Sequence, residues 1–258
     1  MIKRVLSAAV LVPLLVWLVL FANPLYFAMF IFIVSILAYA EWLNMDDTGF
    51  STEKTIYLAS GALFVYMLLF YRILSFYTLI FIFMIHLVQG FSSTQKEKVL
   101  KQHYYFSGIL YISLYSFMYM LVELKGARIL LMLMLVSIWV GDSFAYFCGR
   151  VFGKHKLAVS ISPGKTVEGA VCGVFTGVVA AIIFGSVFKI NTALSIEIGL
   201  IANITGIFGD LSESVIKRAF NKKDSSNLIP GHGGVLDRLD SVAFASFFVY
   251  ILVLWKML

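Results

Sequence analysis

The residues most able to do chemistry lie between Ser214 and Asp240, in the stretch SVIKRAFNKKDSSNLIPGHGGVLDRLD. It combines five lysines and arginines with three aspartates and a Gly-His-Gly-Gly turn, a combination that helix packing does not require. If the preceding apolar helix continues, four polar residues recur at helical spacing and share one face: Asp210, Ser214, Lys217 and Arg218. That face would present a carboxylate, a hydroxyl and two cations.

Three aspartates of this region are candidates for binding a divalent metal ion. Asp237 and Asp240 are three residues apart and face the same way at the start of the last apolar segment, where the helix dipole favours negative charge. Together with Asp210 they provide the oxygen ligands that Mg²⁺ prefers. The alternative is an interfacial salt network, but the cost of placing ionisable groups at the edge of a membrane favours a functional site.

The turn Gly231-His232-Gly233-Gly234 follows Pro230. Glycine permits positive φ and a close approach of the backbone to a ligand. His232 could donate to a phosphate oxygen or protonate a leaving group, and a hydrogen bond that only stabilises the loop is an equal alternative. The tetrapeptide alone is therefore a weak signal.

A second polar segment, DSFAYFCGRVFGKHK, begins at Asp142. Asp142, Tyr146 and Arg150 are each one helical turn apart, which suggests a second polar face. Tyr146 could equally be an interfacial aromatic anchor. Glu41, at the end of an earlier apolar run, is either a contributor to the site or an interfacial acid.

A third segment, SPGKTVEG, begins at Ser162. Ser162 suits the N-cap of a helix and Pro163 its first position, and a helix start that carries Lys165 favours an anion. The Walker pattern requires a glycine at position 159, which is valine here, so a P-loop is excluded. Glu168 is either a metal or nucleotide ligand or a first-turn acid that complements the helix dipole.

The elements that must position these residues are membrane helices. The chain is 61% hydrophobic and 13% charged, against about 45–50% and about 25% in soluble domains. With roughly 20 residues needed for each crossing, nine spans are predicted, starting near Val5, Leu25, Thr55, Phe76, His103, Ile129, Val167, Leu194 and Val242. We expect an all-α polytopic helical bundle forming one membrane domain over residues 1–258, with N-terminal spans over roughly 1–128 and a catalytic part over roughly 129–258.

The distribution of positive charge predicts the orientation. With nine spans, fifteen of the twenty lysines and arginines fall on the side of the N-terminus, and cytoplasmic loops carry this excess. The N-terminus and both long polar gaps, 147–166 and 209–240, are therefore predicted to be cytoplasmic. The basic residues lie in short gaps between apolar runs, so the net charge of +6 fits anionic lipid and phosphate rather than nucleic acid.

The two cysteines, Cys148 and Cys172, lie in apolar context and lack the spacing of metal ligands. We expect both to be small buried side chains, without a disulfide framework or a zinc site.

The C-terminal segment resembles the signature of the phosphatidate cytidylyltransferases, also called CDP-diacylglycerol synthases: S-x-x-K-R-x-x-x-x-K-D-x-x-x-x-x-P-G-H-G-G-x-x-D-R-x-D. Every fixed position is met from Ser214 to Asp240. The segments that begin at Asp142 and Ser162 are similar to two further family segments. Residues 42–130 contribute little to the resemblance. The resemblance implies conversion of CTP and phosphatidate into CDP-diacylglycerol and pyrophosphate with Mg²⁺, by a multi-pass inner-membrane homodimer. Whether a monovalent ion accompanies Mg²⁺ is left open.

Transferred to matching positions, the resemblance implies three sets of site residues. The metal ligands would be Asp210, Asp237 and Asp240. The catalytic residues would be Asp210, Lys217, Arg218, Asp224, His232, Asp237 and Asp240. The substrate-binding residues would be Asp142, Tyr146, Arg150, Lys154, Ser162, Lys165, Thr166, Glu168, Ser214, Lys223, Gly231, Gly233, Gly234 and Arg238.

The chemistry of that reaction agrees with these residue types. A phosphate monoester with a second pKa near about 6 is largely dianionic at neutral pH, so its oxygen needs no general base to attack. The reaction requires charge neutralisation between two polyanions, which metal ions and Lys/Arg side chains provide. We therefore expect Asp237→Asn to lose product while the fold remains intact.

Two other functions stay open. A CTP-dependent lipid-alcohol kinase would transfer the γ-phosphate and release CDP instead of pyrophosphate. A transporter would place its functional charges near the bilayer midplane in broken helices, whereas the charges of this chain cluster in predicted cytoplasmic loops.

Overall fold

The structure is a computed structural model that describes residues 2–49, 51–91, 95–231 and 233–257. Almost all of it is helical. The helices are α1 (Ile2–Leu20), α2 (Pro24–Leu43), α3 (Thr52–Phe70), α4 (Arg72–Phe91), α5 (Lys96–Ser113), α6 (Ser116–Glu123), α7 (Arg128–Phe152), α8 (Val167–Val187), α9 (Thr192–Ala219) and α10 (Leu236–Met257). A 3-10 helix, Asn44–Asp46, follows α2, and two strands, β1 (Lys156–Ala158) and β2 (Ser162–Thr166), separate α7 from α8.

The helices account for the nine predicted spans within the described ranges. Helices α5 and α6 form one apolar segment, Lys96–Glu123, so the ten helices correspond to nine segments. Seven of these are long and apolar enough to cross a membrane, whereas α1 and α4 contain the shorter apolar stretches Ala9–Leu20 and Arg72–Val88. The prediction of an all-α polytopic bundle is confirmed.

The helix start predicted at Ser162 is wrong. Ser162 pairs with Ala158 in an antiparallel hairpin, and α8 begins only at Val167. The N-cap is Thr166, whose hydroxyl accepts a hydrogen bond from the Gly169 amide at 3.1 Å. Serine and threonine can both cap a helix. Because residues 162–166 form a strand, Ser162 lies before the helix and Thr166 is the cap.

The interpretation of the cysteines is also wrong. Cys148 on α7 and Cys172 on α8 form a disulfide with their Cα atoms 6.4 Å apart, and both are only partly buried. The close approach of the two helices brings them together: a Cβ atom on Gly173 would lie 2.8 Å from the Ala145 Cβ atom. A sequence separation of 24 residues does not reveal this contact.

Helices α9 and α10 approach each other closely where two glycines of α9 face α10. A Cβ atom added to Gly209 would lie 2.4 Å from the Asp240 carbonyl oxygen, whereas one added to Gly206 would meet the Ser241 Cβ atom at 3.4 Å. The close contact at Gly209 brings Asp210 of α9 next to the start of α10.

We predict that Gly209→Ala lowers the free energy of unfolding by about 1–3 kcal/mol, because the added methyl group overpacks a rigid backbone contact. Chemical unfolding of the purified protein in detergent would measure this loss. The matched control is Gly206→Ala, one turn earlier on the same face, where the methyl group fits at ordinary contact distance. Equal stability of the two variants would contradict the close contact at Gly209.

Candidate active site

Lys217 is the centre of a buried ion network where α9 meets α10. Its Nζ atom lies 2.8 Å from Glu213 Oε2 and 2.7 Å from Asp237 Oδ1, and all three side chains are buried. Removing one member of such a network leaves an uncompensated buried charge, which is strongly destabilising. The Lys217 ammonium thus joins an acid of α9 to an acid of α10, and we expect the loss of any of the three side chains to weaken this helix contact.

Both carboxylate oxygens of Asp237 are bound by the protein. Oδ1 accepts from Lys217, and Oδ2 accepts from the Ser225 amide at 2.9 Å, the Ser225 hydroxyl at 2.9 Å and the Gly234 amide at 2.8 Å. Asp237 thus fastens the loop between α9 and α10 to the start of α10. To ligate a metal ion as predicted, it would have to share or release one of these contacts.

Glu41 of α2 caps the start of α10 from across the bundle. Its carboxylate accepts hydrogen bonds from the Val235 and Leu236 amides at 2.9 Å each and from the Ser226 hydroxyl at 2.7 Å, and it shares with Asp237 the single proton of the Ser225 hydroxyl, 3.0 Å away. The side chain is 6% exposed. Glu41 therefore positions the same loop as Asp237, a role that its place at the end of an apolar run only suggested.

We predict that Glu41→Gln lowers the free energy of unfolding by about 2–4 kcal/mol, because an amide nitrogen would face donors and each unsatisfied buried group costs about 1–3 kcal/mol. Thermal unfolding in detergent, with the initial rate measured in parallel, would test this.

The control for this substitution is Glu123→Gln. Glu123 pairs with Arg72 at the protein surface, with 35% of its side chain exposed, and an exposed pair contributes about 1 kcal/mol or less. An equally small effect at Glu41 would show that its four contacts do not hold the loop.

Three further acids lie near Glu213 of this network, and we call the four carboxyl groups the acid cluster: Asp142, Asp210, Glu213 and Asp240. Asp210 forms an ion pair with Lys165 and accepts from the Ser214 hydroxyl at 3.3 Å. Asp210 follows Gly209, which packs on the backbone of Asp240, and Asp142 follows Gly141, which packs on Asn203 of α9. The predicted face of α9 and the predicted acids of α7 and α10 therefore converge.

Glu213 is the member of the acid cluster that sequence reasoning missed. It is fully buried, and its Oε1 atom has no hydrogen-bond partner in the described part of the chain. Its carboxyl group lies beside that of Asp240. Its sequence signal was the spacing of four residues from Lys217, which places the two side chains on one face of α9.

The donor chemistry of the acid cluster fits a divalent cation. No three His, Cys, Asp or Glu side chains among the described residues already stand at metal-binding distance. The cluster nevertheless contains a buried carboxylate oxygen, Glu213 Oε1, that lacks a hydrogen-bond partner among the residues the structure describes, and Mg²⁺ completes its coordination with substrate phosphates and water. Asp210, Asp240 and Glu213 are the residues that would hold the ion.

The predicted cationic side chains differ in their contacts. Lys165 contacts the acid cluster directly, while Arg218 donates to the Ile161 carbonyl oxygen at 3.1 Å and so connects α9 to the hairpin. Four predicted cations are exposed and form no ion pair with another described residue: Arg150, Lys154, Lys223 and Arg238. Their charges are available to a polyanionic substrate.

The sequence matches the model of the cytidylyltransferase family over residues 2–255. The chain belongs to this family. Three similar proteins, each named phosphatidate cytidylyltransferase, agree with this assignment. That of Haemophilus influenzae is 34% identical over 97% of this chain and 99% of its own length. That of Staphylococcus saprophyticus is 33% identical over 93% and 95%, and that of Bacillus subtilis is 44% identical over 46% and 45%. The family predicted from the three polar segments is confirmed.

Three other predicted site residues are not members of the acid cluster. Glu168 accepts from the Lys154 and His155 amides at 3.1 and 3.2 Å, so it shapes the loop before the hairpin. Tyr146 is 63% exposed on α7. Asp224 is exposed.

The glycine turn has the backbone conformation that its sequence suggested. Gly231 and Gly233 have φ of 78° and 85°, a region that favours glycine. A Cβ atom on Gly233 would lie 2.7 Å from Asp237 Oδ2. The turn therefore packs tightly over Asp237. His232 lies outside the described residues, so its predicted catalytic role stays a prediction.

Proposed function

We propose that the protein is a phosphatidate cytidylyltransferase, which transfers the cytidylyl group of CTP to phosphatidate and forms CDP-diacylglycerol and pyrophosphate. The observation that carries this proposal is the convergence of the acid cluster with Lys165 and Lys217 at one end of a membrane bundle. The relatives that bear this name match nearly the whole chain.

The proposed reaction needs positioning and charge neutralisation. A phosphate oxygen of phosphatidate forms a bond to the α-phosphorus of CTP, and the bond from that phosphorus to the β-bridging oxygen breaks, so pyrophosphate leaves with the electron pair. Lys165 and the exposed cations Lys154, Lys223 and Arg238 would bind phosphate oxygens and lower the repulsion between the two anions. Lys217 would hold Glu213 and Asp237 in place, because it bonds to both.

We propose Mg²⁺ as the metal ion, held by Asp210, Asp240 and Glu213. Bound Mg²⁺ would neutralise charge on the triphosphate. Asp237 remains a candidate ligand from the signature, although its oxygens bind Lys217, Ser225 and Gly234.

We further propose that the N-terminus and the site face the cytoplasm of a bacterial inner membrane, where CTP is available. The excess of lysine and arginine on that side supports this orientation. A homodimer is proposed from the family resemblance alone.

The test is an assay of the purified protein with CTP, phosphatidate and Mg²⁺. We expect CDP-diacylglycerol and pyrophosphate in equal amounts, no turnover after chelation of divalent ions, and recovery when Mg²⁺ is added back. Diacylglycerol in place of phosphatidate is the control acceptor. Formation of CDP and a phosphorylated lipid, without pyrophosphate, would instead identify a lipid-alcohol kinase.

A further inference from the structure

An apolar groove of about 500 Å³ opens between α5, α9 and α10. Its walls include Leu110 and Tyr111 from α5, Ile216 from α9, and Phe244 and Phe248 from α10. Leu110 and Phe248 are 43% and 42% exposed, so the groove is accessible from the lipid-facing surface of the bundle. The volume lies within the roughly 300–1,000 Å³ of typical ligand sites.

Tyr111 lines this groove and packs against α10 about one turn from Asp240. Its ring contacts Trp42 and Phe244 with centroid distances of 5.2 and 5.9 Å. The side chain is only 8% exposed, and its hydroxyl is buried without a hydrogen-bond partner among the described residues. A buried hydroxyl that lacks a partner is costly, and a polar ligand group beside Tyr111 would remove that cost.

The same helices line the groove and carry the charged site. On α9, Ile216 lies in the groove wall, while its neighbour Lys217 belongs to the ion network. On α10, Phe244 follows Asp240 by about one turn. A ligand with its phosphate at the acid cluster would therefore have an apolar path beside it, leading past Tyr111 towards the lipid.

We infer that this groove holds an acyl chain of phosphatidate while its phosphate lies at the acid cluster. The inference rests on the proposed function. Phosphatidate has the two properties that the surface requires, an anionic head for the cations and a long apolar tail for the groove. A second apolar groove, of about 440 Å³ between α8 and α9, is lined only by apolar side chains and has no comparable polar wall residue.

The first test fills each groove with a larger side chain. Leu110→Trp is expected to raise the KM for dioleoyl phosphatidate in mixed micelles about tenfold, the equivalent of about two buried methylene groups. The KM for CTP should not change. The matched control is Leu200→Trp in the second groove, since Leu200 is 40% exposed. Equal KM values for phosphatidate in the two variants would overturn the inference.

The second test uses the unmodified protein, so it does not depend on the folding of a variant. A phosphatidate with a photoactivatable group at the end of one acyl chain is expected to label peptides of α5 and α10, and excess phosphatidate should prevent this labelling. Equal labelling by a phosphatidylcholine probe, or equal competition by phosphatidylcholine, would show that any bilayer lipid occupies the groove and would overturn the inference.

The two tests also separate this inference from the proposed function. Specific labelling by the phosphatidate probe together with absent CDP-diacylglycerol synthesis would refute the activity and retain the binding site. Normal CDP-diacylglycerol synthesis without labelling of the groove would support the proposed activity and refute the groove as the acyl-chain site.

Discussion

Replacing Asp240 by asparagine is expected to reduce turnover by about a hundredfold to a thousandfold, the usual cost of losing one preorganised electrostatic contact in an active site. The fold should remain at least as stable as that of the parent. Asp240 lies beside Asp210 and Glu213, and removal of one of several neighbouring negative charges relieves their repulsion. Turnover at saturating CTP and phosphatidate, together with thermal unfolding in detergent, would measure both effects.

The control for this prediction is Asp47→Asn. Asp47 pairs with Lys222 at the surface and 77% of its side chain is exposed, so we expect turnover close to that of the parent. Undiminished turnover in Asp240→Asn would remove Asp240 from the site. A large loss of stability would instead assign the carboxylate a structural role.

Asp237→Asn is expected to lose both activity and stability. Its carboxylate neutralises Lys217 and accepts three further hydrogen bonds from Ser225 and Gly234. Asparagine has one oxygen, so its amide nitrogen would face donors, and breaking a buried ion pair in this way costs about 3–5 kcal/mol. The sequence alone predicts an intact fold for this variant. Because Asp237 binds Lys217, Ser225 and Gly234, we now expect the variant to be less stable than the parent.

Measuring Asp237→Asn and Asp240→Asn side by side tests the distinction between them. Both substitutions remove one carboxylate from the first turns of α10, so differences in detergent or expression are shared. We expect chemical unfolding to shift to lower denaturant only in Asp237→Asn. If its unfolding midpoint equals that of the parent, the four contacts of Asp237 do not stabilise the loop.

The helical elements could be predicted because they depend on local properties. A run of about 20 apolar residues is sufficient to span a bilayer. All nine predicted segments are helical within the described ranges, and seven of them are long and apolar enough to cross a membrane. The convergence of Asp210, Lys217 and Asp240 was also expected, because helical spacing and the family signature placed them on the ends of two successive helices.

The sequence-based predictions failed in two situations. In one, two nearby residues could take the same role, and in the other, the contact joins elements that are far apart in the sequence. Ser162 and Thr166 both have side chains that can cap a helix, and only the hairpin register decides between them. Glu41 is separated from Leu236 by 195 residues. The disulfide of α7 and α8 depends on how closely those two helices pack.

Local sequence was thus sufficient for the class of fold, the family and most of the residues that carry charge. The separate roles of the acids became visible only in the assembled bundle. Glu41 and Asp237 bind the loop, whereas Glu213, beside Asp240, keeps one oxygen without a hydrogen-bond partner among the described residues. The reason is that the role of a buried carboxylate depends on which donors surround it. Those donors come from helices whose contacts, such as the close approach at Gly209, have no local signature.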